Sequence, residues 1–110
     1  GEIEIILNNL ISNAVKYNKT DGSVNVIISN TPSGIILSIE DTGIGMSDED
    51  ISHLFQDFVR IKNEKTRKIS GSGLGLSIVK KMLDLYGGNI QVQSTPDKGS
   101  KFSVFLPKSY

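Results

Sequence analysis

Asp41 stands directly before a glycine turn in the run Asp41-Thr-Gly-Ile-Gly-Met46, and about thirty residues later Gly71-Ser-Gly-Leu-Gly-Leu76 leads into an apolar, helix-periodic segment. An ionised carboxylate accepts hydrogen bonds and donates none. At such a place it suits the exocyclic amino group of adenine and repels the carbonyl oxygen that guanine carries there. Taken alone, the same run also fits an Asp that merely starts a turn, with Gly43 and Gly45 supplying positive φ. The second cluster, Gly71, Gly73 and Gly75, precedes a helix whose first backbone N–H groups are unpaired and whose dipole favours anions, so phosphate oxygens are natural occupants. It is neither the P-loop pattern, since no Gly-Lys-Ser/Thr follows, nor the dinucleotide pattern, since Leu76 breaks the last spacing and no strand leads in. As a bare glycine run it would also fit a hinge.

A third group lies near the N-terminus. At 100° per residue Asn9, Asn13 and Lys16 share a narrow polar stripe about a third of a turn from the apolar face, and Tyr17 borders it. Magnesium keeps waters and phosphate oxygens and takes few protein ligands, so one amide oxygen completing its octahedron is sensible chemistry, assigned first to Asn13. Lys16 adds a cation one turn further on. The competing reading is the ordinary solvated face of an amphipathic helix. Of the basic residues between Val59 and Ser72, Arg60 is the best placed to neutralise terminal phosphates, because it follows the Phe55/Phe58 anchor; charged loops are also commonly just solvated. Phe55 and Phe58 read as packing residues, and His53 as a surface or half-buried residue.

These groups need positioning. Ile3, Ile6, Leu7, Leu10, Ile11 and Ala14 recur at helical spacing, predicting a helix over 2–18 that ends in Asn18-Lys-Thr-Asp-Gly22. Val24–Ile28 and Ile35–Ile39 are β-branched runs joined by Asn30-Thr-Pro-Ser-Gly34 and predict an antiparallel hairpin whose second strand runs into Asp41. Ser47 with Asp50 forms a capping-box pattern for a short helix bearing Ile51, Leu54, Phe55 and Phe58. Residues 59–72 lose periodicity and read as a mobile loop able to act as a lid. Leu76, Val79, Lys80, Met82 and Leu83 predict a long helix stopped by Gly87-Gly88. Asn89–Gln93 and Lys101–Leu106 then predict a second hairpin around Thr95-Pro-Asp-Lys-Gly99. The expected fold is an α/β (α+β) two-layer sandwich, a mixed, mainly antiparallel sheet with about three helices on one face.

With 110 residues and 37% apolar content the chain is long enough for one core, predicting a single domain over 1–110. Twelve basic residues balance twelve acidic ones, so the overall charge points to neither nucleic acid nor an anionic membrane, and phosphate binding must be local. The absence of cysteine excludes disulfide scaffolds and thiolate metal sites and fits a reducing compartment. No apolar run reaches membrane-spanning length, so direct membrane contact by these residues is not expected.

In this order the segments resemble the catalytic ATP-binding domain of sensor histidine kinases, a branch of the GHKL ATPase superfamily that also holds DNA gyrase, the mismatch-repair ATPases and heat-shock chaperones. Asn9-Leu-Ile-Ser-Asn-Ala-Val-Lys-Tyr17 matches the family's N box, Asp41-Thr-Gly-Ile-Gly45 its first glycine box and Leu54-Phe-Gln-Asp-Phe-Val-Arg60 its phenylalanine box. Gly71-Ser-Gly-Leu-Gly-Leu76 matches the second glycine box, and Gly99-Ser-Lys-Phe102 the closing strand. The family carries one more strand before the first helix, which these residues do not include, and Val59 stands where an aromatic residue commonly precedes the lid arginine.

By position, the resemblance implies ATP and Mg²⁺ as cofactors, with Asn13 on the metal and Asn9 beside it. Lys16 and Tyr17 would lie near phosphates and sugar, and Asp41 on the adenine amino group, with Gly43 and Gly45 admitting the base. Val59, Arg60, Gly71, Ser72, Gly73, Leu74, Gly75 and Leu76 would enclose the triphosphate, with Ser100 near the base; Asn9, Lys16 and Arg60 are the residues closest to the chemistry. Hydrolytic members carry a glutamate where this chain has Asn9, which takes no proton at neutral pH, so the site is expected to hold ATP rather than hydrolyse it. The implied activity is transfer of the γ-phosphate to a histidine on a dimerisation domain of the same protein, from which a response regulator receiver domain takes it. The implied location is the cytoplasm, as a soluble protein or as part of a membrane-anchored kinase. Two alternatives stay open: a serine kinase of the anti-sigma or mitochondrial dehydrogenase-kinase type, and a non-catalytic nucleotide-sensing or scaffolding domain.

Overall fold

The structure is a computed structural model that describes residues 1–55 and 75–108. In chain order the elements are α1 (Glu2–Lys16), β1 (Val24–Thr31), β2 (Gly34–Asp41), α2 (Asp48–Ser52), α3 (Gly75–Leu85), β3 (Asn89–Thr95) and β4 (Gly99–Pro107). The four strands form one sheet in the order β1-β2-β4-β3, antiparallel throughout.

Period-2 alternation decides which face of that sheet is dry. Two rows of like-facing residues run across all four strands in register, Ile28, Leu37, Val104 and Ile90, then Val26, Ile39, Phe102 and Val92. The helices bury these rows on β2 and β4 and partly on β3, while Ile28 and Val26 on the edge strand β1 stay exposed. On these rows α1 sets Ile6, Leu10 and Ala14, and α3 sets Val79 and Leu83; all five are buried with Leu37, Ile39, Phe102, Val104 and Leu106. Each fully buried aliphatic side chain contributes about 1.5–3 kcal/mol through the water it no longer meets. Ile27 and Ile36 have the opposite parity and lie exposed on the other face.

Element ends follow local chemistry. The first hairpin turns tighter than predicted: Thr31 pairs with Gly34, leaving only Pro32 and Ser33 outside the strands. The Thr31 hydroxyl accepts from the Gly34 N–H at 3.1 Å and donates to the Gly34 carbonyl at 2.8 Å, closing the turn and drawing residues 30, 31 and 34 into the ladder. Ser47 and Asp50 form the predicted capping box on α2, although this helix stops at Ser52, before Leu54. α3 ends in the Gly87-Gly88 pair: Gly87 takes φ +75°, and the Gly88 N–H donates to the Leu83 carbonyl at 2.8 Å. That bond and the left-handed glycine are the features of a Schellman stop.

Candidate functional site

The next inward row of the sheet breaks the apolar pattern. Val24, Asp41, Ser100 and Ser94 face one another across the four strands, so three polar side chains enter the layer that is hydrophobic one row below. Asp41, the last residue of β2, is only 9% exposed. Its Oδ1 accepts the Gly43 N–H at 2.8 Å and the Ser100 N–H at 3.3 Å, whereas Oδ2 makes no hydrogen bond to any described residue. Burial pushes the Asp41 carboxyl above the usual carboxylate range; the two N–H groups pull it down, and the charge of Glu40 adds to the rise. The result is an oriented, partly desolvated acceptor with one oxygen to spare.

The glycine turn after Asp41 is held from both sides. A Cβ on Gly43 would lie 2.3 Å from the Tyr17 carbonyl oxygen, and the Ile44 N–H donates to that same oxygen at 3.1 Å, tying the turn to the C-terminal end of α1. Thr42 adds a second tie: its Oγ1 accepts the Ser23 N–H at 2.8 Å and donates to Asn18 Oδ1 at 3.2 Å. On the opposite side, Gly45 takes φ +68° against the Thr95 carbonyl, and the Asp97 N–H donates to the Ile44 carbonyl at 2.7 Å. Met46 N–H donates to Ser94 Oγ at 2.8 Å. The turn of the second hairpin therefore buttresses the turn that carries the carboxylate.

Along α1 the polar stripe links this turn to the start of α3. Tyr17, the residue capping α1, touches the glycine turn; at the other end a Cβ on Gly75 would lie 2.9 Å from Asn9 Oδ1. Asn9 donates from Nδ2 to the Ile5 carbonyl at 2.9 Å, leaving Oδ1 toward the α3 N-terminus. Eight residues of helix separate these contacts by about 12 Å. Between them, half-buried Asn13 makes no side-chain hydrogen bond to a described residue, and Lys16 is exposed with no ion pair among the described residues. Leu76 packs on the edge of the core. Thus the structure gathers Asn9, Asn13, Lys16, Tyr17, Asp41, Gly43, Gly45, Gly75 and Leu76 along one side of α1 and the strand ends beside it. Phe58, Val59, Arg60, Gly71, Ser72, Gly73 and Leu74 lie outside the described residues.

Sequence reasoning passed over Ser94, Thr95, Asp97, Thr42 and Asn18, whose hydrogen bonds and packing shape the turn. For Ser94 a signal existed: it has the inward parity of Ile90 and Val92, and a polar residue at an inward position asks for partners inside the fold.

The donor set fits a magnesium–phosphate group better than an all-protein metal cage. Among the described residues no three His, Cys, Asp or Glu side chains are placed to hold a metal ion, while the half-buried, unpartnered amide of Asn13 suits an ion that brings phosphate and water ligands of its own.

Residues 2–110 match the family described as Histidine kinase-, DNA gyrase B-, and HSP90-like ATPase. This chain belongs to that family. The circadian input-output histidine kinase CikA of Synechococcus elongatus is 39% identical over 94% of the chain, a stretch that makes up 14% of that protein. Among solved structures, the mycobacterial sensor histidine kinase MprB superposes with a TM-score of 0.82 at 29% identity, covering 96% of this chain and 72% of that one. Full-length ShkA in complex with AMPPNP gives 0.78 at 28% identity over 99% of this chain and 22% of its own. The antiparallel sheet with its helices is thus the fold of histidine kinase catalytic domains, and the family's ATP-binding character extends to this chain. The chain spans less than a quarter of the length of the curated relatives it matches. No helix among the described residues is long and apolar enough to cross a membrane.

Proposed function

We propose that this domain binds ATP with Mg²⁺ and delivers the γ-phosphate to a histidine on a separate dimerisation domain, from which a response regulator receiver domain takes it. The observation that carries the reading is Asp41: a buried carboxylate with Oδ1 fixed by two backbone N–H groups and Oδ2 without a partner among the described residues, at the end of an α1 stripe that leads to the α3 N-terminus. A carboxylate placed so reads an amino group, and adenine offers one. At the other end the α3 N-terminus presents backbone N–H groups to anions. AMPPNP, bound in the structure of ShkA, is an adenine nucleotide whose two ends would meet these two chemistries.

In this reading Asn13 would hold Mg²⁺, whose charge, when bound, would offset that of the triphosphate. Lys16 adds a cation beside it. In the transfer, an imidazole nitrogen of the acceptor attacks the γ-phosphorus, the bond to the β–γ bridging oxygen breaks, and ADP leaves with the electron pair. Positioning and charge neutralisation supply most of the acceleration in such reactions. Asn9 cannot accept a proton from water, so hydrolysis lacks a base at the place where hydrolytic relatives keep one. Location in the cytoplasm, where ATP and a receiver domain are available, belongs to the same reading.

The test is incubation of the chain with γ-labelled ATP, Mg²⁺ and a histidine-containing dimerisation domain. Acid-labile, alkali-stable label on the partner is expected. Acid-stable label would identify a serine kinase instead, and no label with tight ATP binding would identify a nucleotide sensor.

A further inference from the structure

Ser94 has no place in the chemistry described so far, yet its hydroxyl makes three hydrogen-bond contacts beside Asp41. Its Oγ lies 2.8 Å from the Met46 nitrogen, 3.0 Å from the Gly99 carbonyl oxygen and 2.7 Å from the Ser100 Oγ. A hydroxyl owns one proton and two lone pairs. The Met46 N–H can only donate and the Gly99 carbonyl can only accept, so one lone pair and the proton of Ser94 are committed. With the Ser94 proton assigned to the Gly99 carbonyl, the second lone pair is what remains for Ser100, and in that assignment the Ser100 hydroxyl donates to it. Ser100 is itself 8% exposed and is paired across the strands with Asp41. With its proton turned into the sheet, its hydroxyl offers only lone pairs elsewhere.

We propose that Ser94 is a specificity-determining residue acting through Ser100: by taking the Ser100 proton it makes that hydroxyl an acceptor, so Asp41 and Ser100 together select a ligand bearing an amino group and reject one bearing a carbonyl. The proposal rests on the nucleotide-binding reading above. It assigns the discrimination between 6-amino and 6-oxo purines to two side chains instead of one. Ser94 is a positioning residue, since its own capacity is saturated inside the fold.

The experiment compares Kd for ATP with Kd for inosine triphosphate, which differs at the reading position by a carbonyl in place of the amino group. In Ser94→Ala the Ser100 proton is released and its hydroxyl can turn to donate to the 6-oxo group. The ATP preference is expected to shrink at least about fivefold, with inosine triphosphate binding tighter than in the parent chain, in keeping with one hydrogen bond gained where a repulsion stood. A general loosening of the fold would weaken both nucleotides, and an unchanged ratio would leave Ser94 without this role; either result overturns the proposal. Ser94→Thr keeps the hydroxyl and is expected to keep the ratio. Should Ser94→Ala be too unstable to titrate, Ser100→Ala decides: ATP affinity falls while inosine triphosphate affinity holds or rises, whereas a loss for inosine triphosphate would mean that Ser100 donates and would refute the proposal. If the unaltered chain binds both nucleotides equally, the adenine reading itself fails and this proposal with it. A preference present in the parent and unchanged in Ser94→Ala removes only the role of Ser94.

Discussion

The Thr95 carbonyl oxygen occupies the place where a side chain on Gly45 would begin: a Cβ built on Gly45 lies 2.0 Å from it, and Gly45 has φ +68°. Two independent penalties therefore meet at one residue, a left-handed backbone and a backbone obstacle that cannot swing aside. Gly45→Ala is expected to lower unfolding free energy by about 2–4 kcal/mol, combining the left-handed cost with forced separation of the two turns. Gly75→Ala makes the contrast. There the nearest atom is the end of the Asn9 side chain at 2.9 Å, which can rotate, so stability should change by less than about 1 kcal/mol. Urea denaturation of both variants checks the pair; equal losses would contradict the geometry.

Asp41→Asn separates binding from stability. Asparagine keeps an Oδ1 for the Gly43 and Ser100 N–H groups and puts an amide donor where Oδ2 has no partner among the described residues. Affinity for ATP should fall by one to two decades, about 1.4–2.8 kcal/mol for a lost and mismatched polar contact. The nucleotide-free chain should melt at a higher temperature than the parent, because a charge held in a buried place near Glu40 has been removed. Calorimetric titration and a thermal scan read the two effects, and unchanged affinity would remove Asp41 from the base contact.

Acid should weaken the adenine preference through the same carboxyl. Burial, and then the Glu40 charge, raise its folded pKa above the unfolded value against the pull of two backbone N–H groups. A carboxyl raised in this way contributes stability that is fully present below its unfolded pKa and is lost as pH rises through its folded pKa. Ionised Asp41 thus costs the nucleotide-free fold at neutral pH, and that form is the one that accepts from an amino group. The ratio of ATP to inosine triphosphate affinity should be full above the folded pKa and fall as pH drops through it, earlier than an ordinary carboxylate would dictate. Phosphate titration is common to both nucleotides and cancels in the ratio. Asp41→Asn should flatten the curve.

Much of this arrangement was legible in the sequence wherever a periodicity met a chemical singularity. Alternation in Ile35–Ile39 fixed the face of β2 and so turned Asp41 inward; the 3.6-residue repeat of Ile6, Leu10 and Ala14 placed Asn9 and Asn13 to one side of the buried stripe. The hairpin turn at Pro32-Ser33 came out shorter than predicted because a single hydroxyl, that of Thr31, satisfies both the N–H and the carbonyl of Gly34, a local bond that strand propensity does not encode. The buttressing of the glycine turn by Ser94, Thr95 and Asp97 was not legible either. It joins segments about fifty residues apart, and only the β2–β4 and β3–β4 registers together bring them side by side.

Asn13 offers the sharpest separation of metal from base. Its half-buried amide has no partner among the described residues, so removing it breaks no internal bond to them, and Asn13→Ala sits in a helix interior where alanine is well tolerated. Nucleotide affinity measured in EDTA should stay within about threefold of the parent, since Asp41 and its two backbone donors are untouched. The gain in affinity on adding Mg²⁺ should shrink by about tenfold or more, and Mg²⁺-dependent phosphoryl transfer to a dimerisation domain should fall further still, because the ion's charge stabilisation matters most as the phosphoryl group moves. Equal losses with and without Mg²⁺ would place the defect in the fold of α1 instead. A thermal midpoint close to the parent's, alongside a lost Mg²⁺ response, would fix Asn13 as the protein's ligand to the ion.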